Sequence, residues 1–289
     1  MDVSFPGLGL EFKIERIAFY LFGNKSFPIY WYGIIIALGF TAGLFLGSIA
    51  AKKIGEKSDI AIDIALWGAP VAIVCARLYY VVFKFEDYKD NLLSVFDLRS
   101  GGIAIYGAVI GAVIGVWLFS KYKKKSMLKM FDIGAVGLIT GQMIGRWGNF
   151  FNQEAFGCNT DLPWGMTSNA VKEYLSDVKM QGMNVNPDLP VHPTFLYESL
   201  WSLATLVLLF VIINKFYRYN GQVFFAYCFL YGLGRFWIEG LRTDSLMWGP
   251  FRVSQVLALV CVIVFGAIYI YRYVKNKKDA VKKTEIYEN

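Results

Sequence analysis

Charge is scarce in this sequence. Only 18% of its 289 residues are charged, against 56% hydrophobic and 17% aromatic, and the mean hydropathy is +0.44. A soluble domain, whose surface must be wetted, is not built from such a balance. Histidine is rarer still, with His192 alone, and the four cysteines are scattered. Cys75, Cys228 and Cys261 fall within apolar runs and only Cys158 lies outside them, which leaves no disulfide framework. No Cys/His pair has zinc spacing, so neither a metal nor another cofactor is expected. The glycine-rich stretches lack the lysine and the strand–turn–helix setting of a nucleotide-binding loop. No Lys/Arg cluster alternates with aromatics in an exposed loop, and the net charge of +7 is explained without nucleic acid by positive-inside topology and anionic headgroups. The N-terminal VSFPGLGLEF is too short to span a bilayer and lacks the basic region, apolar core and cleavage site of a secretory signal, so nothing is expected to be removed.

What the chain has is long apolar runs. Seven are of spanning length, at roughly 30–51, 62–83, 101–120, 127–147, 194–214, 221–240 and 253–273. The second is the least regular, with Asp63 near its start and Arg77 inside it. Connections after the odd-numbered runs carry Lys52, Lys53 and Lys57, then Lys121, Lys123, Lys124, Lys125 and Lys129, then Lys215 and Arg218. The end of the chain adds Arg272, Lys275, Lys277, Lys278, Lys282 and Lys283. The positive-inside rule makes these segments cytoplasmic. The expectation is an all-α integral membrane protein with seven transmembrane helices, N-terminus outside and C-terminus cytoplasmic. Residues 1–289 form one polytopic membrane domain, with 148–193 as an extracytoplasmic loop or cap and 274–289 as a basic cytoplasmic tail. Within the cap, a short amphipathic helix is expected near 168–180.

Glycine recurs every fourth residue at Gly39, Gly43 and Gly47, at Gly107, Gly111 and Gly115, and at Gly137, Gly141 and Gly145. Such stripes let helix backbones approach closely in lipid, which argues for bundle packing rather than for chemistry.

The polar groups inside the runs are more informative, because an ionisable side chain at membrane depth costs roughly 2.5–3.5 kcal/mol on insertion scales and therefore faces a partner or a cavity. Tyr227, Tyr231, Arg235 and Glu239 follow at i+4 on the sixth run, with Arg242 three further on. Arg235 and Glu239 either neutralise each other or belong to a larger site. A second stripe, Gln142, Arg146, Asn149 and Gln153, forms on the fourth run if helix continues through Gly148. Two arginines near the same end of the bundle suit a phosphate, because the planar guanidinium fork donates paired hydrogen bonds and stays charged. An anionic phospholipid headgroup lies at that depth.

GRWGNFFNQEAFG, residues 145–157, resembles the signature of the prolipoprotein diacylglyceryl transferases. WYG at Trp31–Gly33, GGIAIYG at Gly101–Gly107, HPTFLYE at His192–Glu198 and YGLGRFWIEGLR at Tyr231–Arg242 fit the same family in the same order. The resemblance implies transfer of the diacylglyceryl group of phosphatidylglycerol to the lipobox cysteine of a prolipoprotein signal peptide, in a bacterial plasma membrane. It further implies that Arg146 and Arg235 bind the lipid phosphate, with Asn149, Glu154 and Gly157 completing the signature site and Tyr32, Tyr231 and Glu239 matching further family positions. Many members carry a histidine in the third-run motif where this chain has Tyr106. Tyrosine, with an ordinary pKa of about 10, is a poor base at neutral pH unless nearby arginines lower it, so Tyr106 is read instead as hydrogen-bonding the lipid, with the proton handled by phosphate or by partial ionisation of the thiol, and His192, Glu154 and Glu198 stay open as further acceptors. His192 is also readable as a helix-end or interfacial residue, with Pro193 suited to a first helical turn. A transporter of anionic phospholipid would use the same charges without breaking a bond, but no internal repeat is visible.

Overall fold

The computed structural model describes residues 2–97 and 101–288, with side chains described through residue 279. The N-terminal segment is extended, with β1 (Asp2–Phe5), β2 (Leu10–Lys13), β3 (Ile17–Tyr20) and β4 (Pro28–Tyr30). The helices α1 (Trp31–Lys53), α2 (Ile60–Phe83), α3 (Ile105–Tyr122) and α4 (Met127–Asn152) follow. After β5 (Thr167–Ser168) and α5 (Asn169–Met180) come α6 (Thr194–Val211), prolonged by a π turn over Ile212–Phe216, and α7 (Gln222–Leu241). The hairpin β6 (Met247–Trp248) and β7 (Phe251–Arg252) leads into α8 (Val253–Glu288).

Six helices are long and apolar enough to cross a membrane: α1, α2, α3, α4, α6 with its π turn, and α8 over Val253–Asp279. The protein is a mostly helical, multi-pass membrane protein. The expected sixth span, α7, exists as a 20-residue helix but is not among these six, because Arg235, Glu239 and two tyrosines lower its hydropathy. Its buried residues run from Gln222 to Glu239, and it packs against α8, α6 and α4. In the most apolar 18-residue window of α8 only 6% of the residues are buried, so α8 covers α7 and turns its own apolar surface outward.

The glycine stripes set which helices pair. A Cβ added to Gly43 of α1 would lie 2.7 Å from the Gly137 carbonyl oxygen of α4, and one on Gly39 would lie 3.3 Å from that of Gly141. On α3, Cβ atoms at Gly107 and Gly111 would lie 2.5 and 2.6 Å from the carbonyl oxygens of Cys75 and Val71 on α2. The α1–α4 and α2–α3 contacts are the most extensive in the bundle, backbone against backbone, as small-residue packing requires.

Arg77 does not interrupt α2. It is buried, and its guanidinium donates to five carbonyls: Nε to Val95, Nη1 to Gly101 and Gly102, and Nη2 to Ser94 and Asp97. The ring of Tyr88 lies 5.1 Å away. Every guanidinium N–H thus has an acceptor, and the described parts of the α2–α3 connection, at residues 94–97 and 101–102, meet on the charge.

At the opposite end of the bundle, Asp132 of α4 accepts from the Gly221 and Phe224 amides and from the Tyr217 hydroxyl. A buried carboxylate thereby caps the start of α7, where unpaired amides need acceptors. Lys125 and Lys129 pair with Glu56 at 2.7 and 3.0 Å, tying the α3–α4 turn to the α1–α2 turn.

The fold is not purely helical. β1 pairs antiparallel with both β2 and β5, and Val3 and Phe5 bury against Phe156, Met166, Val171, Leu175 and Val191. The 148–193 segment therefore divides. Its first residues extend α4 to Asn152, and the rest builds a small α/β cap with the N-terminal strands around α5, whose N-cap is Ser168 bonding the Val171 amide. The strand partners are over 150 residues apart, a pairing that helical periodicity does not reveal. The 274–289 tail prolongs α8 through Glu288; Asn289 and the side chains from position 280 lie outside the described residues.

Candidate active site at the capped end of the bundle

The fourth-run stripe forms because α4 continues through Gly148. A Cβ at Gly148 would meet the Tyr32 ring at 2.7 Å, so glycine there lets the start of α1 lie flat on α4. The helix stops at Asn152, and Gln153 adopts a left-handed conformation (φ 53°). Gln153 therefore leaves the expected stripe; it is buried and donates to the Phe150 carbonyl. The reversal brings Glu154 back over α4, where its carboxylate accepts from Asn149 at 2.9 Å and from Asn152 at 3.2 Å.

Glu198, on the first turns of α6, joins the two arginine stripes. Its Oε2 lies 2.5 Å from Arg146 Nε, while Oε1 lies 3.3 Å from Arg235 Nη1 and 3.6 Å from Arg242 Nη1. Arg235 Nη2 also pairs with Glu239 at 2.5 Å, and Arg242 Nη2 with Asp244 at 2.7 Å. Three guanidiniums and three carboxylates thus share one end of the bundle. Arg146 Nη1 makes a long 3.5 Å contact with Asn149, extending the polar chain from α7 through Glu198 and Arg146 to Glu154.

Glu154 opens onto a cleft of about 880 Å³ lined by Arg16, Tyr30, Tyr32, Gly33, Asn152 and Gln153 among others. Arg16, on the β2–β3 connection, donates to the Asn152 carbonyl at 2.8 Å. A second, apolar groove of about 740 Å³ lies between the cap and the ends of α4 and α6, with Phe12, Trp31, Trp147, Phe150 and Phe195 in its walls.

The remaining expected residues divide. Tyr231 is one turn from Arg235 and stacks on Tyr227, whose hydroxyl accepts from Gln142 of α4. Gly157 is a backbone junction: its amide donates to the His192 carbonyl, the next amide, of Cys158, donates to Leu241, and a Cβ would clash with His192 at 2.7 Å. The His192 ring turns to Tyr197, with Nδ1 3.1 Å from the hydroxyl, and burial lowers its pKa from 6.5, so it is neutral at pH 7. The Tyr106 ring lies against Tyr79 of α2, 6.4 Å between centroids. No hydrogen bond or ion pair links Tyr106 or His192 to the Glu198 cluster among the described residues. No cluster of three or more His, Cys, Asp or Glu side chains fit for a metal occurs among them either.

Sequence reading underrated Glu198, Arg242 and Arg16. HPTFLYE, a polar residue six positions after a lone histidine and one helical turn into an apolar run, was the available signal for Glu198. Arg16 carried none, since its place depends on the folding of the N-terminal strands.

The sequence model of the family described as prolipoprotein diacylglyceryl transferase matches residues 16–271. The chain belongs to that family. Curated members of the family include phosphatidylglycerol–prolipoprotein diacylglyceryl transferases to which this chain is similar. That of Clostridioides difficile (strain 630) is 42% identical over 92% of this chain and 98% of its own length. That of Finegoldia magna is 42% identical over 94% of this chain and all of its own, and that of Bacillus cytotoxicus 39% identical over 94% and 97%. The match to the family runs from Arg16 of the cleft through Glu239 and Arg242 into α8, ending at residue 271.

Proposed function

We propose that this protein is a transferase that moves the diacylglyceryl group of phosphatidylglycerol to a cysteine of a prolipoprotein. The observation that carries the reading is the convergence of Arg146, Arg235 and Arg242 on one carboxylate at the capped end of the bundle, in a chain whose relatives bear that enzyme name over nearly their full length.

In the reaction a cysteine thiolate attacks the glyceryl carbon that carries the phosphate ester. The carbon–sulfur bond forms as the carbon–oxygen bond breaks, and the electron pair leaves on the phosphate of glycerol 1-phosphate. Negative charge grows on that phosphate, and fixed guanidiniums beside it stabilise the transition state. Arg146 and Arg235 are assigned to the phosphate. Asn149 and Glu154 hold the neighbouring polar wall, Gly157 fixes the backbone that joins α4 to α6, and Tyr32, Tyr231 and Glu239 shape the flanks. The thiol, with an ordinary pKa of about 8.5, loses its proton to one of the titratable groups nearby. His192, Tyr106 and Glu154 are the candidates outside the ion pairs.

The lysine-rich ends of α1, α3 and α6 are assigned to the cytoplasm and the cap to the outer face of a bacterial plasma membrane, with α7 as a seventh span. This places the arginines at the depth of outer-leaflet headgroups and assigns the cap to guiding the signal peptide. Deletion of α5 with unchanged transfer would remove that role from the cap.

The deciding experiment is reconstituted transfer with purified protein, phosphatidylglycerol vesicles and a lipobox peptide, followed by mass spectrometry. The expected result is a diacylglyceryl mass gain on the peptide, absent when its cysteine is serine, with glycerol phosphate released. Lipid carried across the membrane intact, with no peptide modified, would replace this reading with that of a transporter.

A further inference from the structure

Arg146 presents a half-filled fork. Its Nε is taken by Glu198 Oε2 at 2.5 Å, and its Nη2 meets no acceptor among the described residues. A phosphate that binds the Nε–Nη2 edge with two parallel hydrogen bonds must therefore take the place of that carboxylate oxygen. The other oxygen of Glu198 is held elsewhere, by Arg235 and Arg242. Glu198 can let go of Arg146 without being left uncompensated, since two guanidiniums remain on Oε1. Ser199, its neighbour, accepts from Trp147 Nε1 and donates to the Met143 carbonyl, so α6 stays fixed to α4 while the carboxylate moves.

We propose that Glu198 is an internal competitor of the lipid phosphate: its Oε2 holds the Arg146 fork and is exchanged for a phosphate oxygen, while Oε1 remains anchored on Arg235 and Arg242. The proposal rests on the transferase reading and adds a role for a carboxylate among the arginines. The exchange serves turnover. With three carboxylates balancing three guanidiniums, the phosphate of the product meets a group ready to reclaim Arg146, and the cluster does not become a trap for glycerol phosphate. Uniformly tighter phosphate binding lowers KM without raising kcat. Glu198 is thus a positioning residue whose removal should tighten binding and slow release.

The test compares the native protein with Glu198→Gln and Glu198→Asp in reconstituted vesicles, measuring kcat and KM for phosphatidylglycerol and the inhibition constant of added glycerol 1-phosphate. In Glu198→Gln the KM and the inhibition constant should both fall, by roughly three- to tenfold, together with kcat. Glu198→Asp keeps the charge but draws the whole carboxylate back by one methylene, which weakens its short hold on Arg146, so the inhibition constant should fall in the same direction by less; this variant decides the matter if the glutamine protein does not fold. A merely structural glutamate would give unchanged or weaker product inhibition in both folded variants, which would overturn the exchange. Failure of the native protein to transfer lipid would count against the reaction instead, and glycerol phosphate affinity would still report on Glu198.

Discussion

Arg77 and Arg146 are both arginines inside apolar helices, yet their surroundings differ in kind. Arg77 spends all five donors on backbone carbonyls of one connection. Arg146 makes one short contact, to a carboxylate on another helix, and one long contact to an amide. An arginine whose hydrogen bonds end on main chain has nothing left to offer a substrate, and its role is to fold a loop. One held by a single short side-chain contact has donors in reserve. In this protein the charge that is fully satisfied supports the architecture, and the one that is not is the one proposed to meet the phosphate.

The sharpest way to break that comparison is to neutralise each arginine. Arg77→Gln removes a buried guanidinium that five part-buried carbonyls share and should cost about 3 kcal/mol of stability, read as failure to accumulate or a large fall in the denaturation midpoint. Arg146→Gln should lower transfer by about 10²–10³ with the midpoint nearly unchanged, and Arg146→Lys should keep part of the activity through charge alone. Comparable losses of stability in Arg77→Gln and Arg146→Gln would erase the distinction. A smaller effect is expected of Gly43→Leu, which forces the α1 and α4 backbones apart and should cost about 1–3 kcal/mol in thermal unfolding.

pH sharpens the comparison further. If His192 takes the thiol proton, the acid limb of the transfer rate must fall below the ordinary value of 6.5, because burial lowers the pKa of the ring, and it must vanish in His192→Gln. An unchanged limb in that variant would leave His192 its contact with Tyr197 and its backbone bonds alone. The smallest effect belongs to Glu56. Burial by itself would raise its pKa, but the hydrogen bonds and charges of Lys125 and Lys129 prevail and hold it below 4.5. The stabilisation is therefore present above the ordinary pKa and is lost as pH falls through the lowered one. Glu56→Gln should cost less than about 1 kcal/mol at pH 7, and the difference from the native protein should disappear in acid.

Much of this was legible in the residues. Glycine every fourth position on α1, α3 and α4 marked the faces that meet, because a missing side chain has the same meaning wherever the helix is placed. Arg146 and Asn149 were legible for the same reason, since helical spacing alone puts them on one face. Gln153 was not, because the turn that removes it from that face depends on a left-handed residue which no periodicity announces. Glu198 and Arg242 join the cluster only through the packing of α6 against α4 and α7, and the β1–β5 pairing depends on contacts between distant parts of the chain. The sequence offers α7 as a span of its own, whereas length and hydropathy leave it out of the six candidate spans; its charges are compensated by neighbours, a property of the bundle and not of the segment.

That dependence of α7 reaches back to the moment of synthesis. A helix carrying Arg235 and Glu239 has little reason to leave the insertion machinery for lipid by itself, whereas α8 has every reason and lies beyond only a short hairpin. The two would be expected to partition as a unit, the later segment drawing in the earlier one. A released chain that ends near residue 245 should then leave its arginine helix outside the membrane, and the proposed phosphate site would come into being only with the last span.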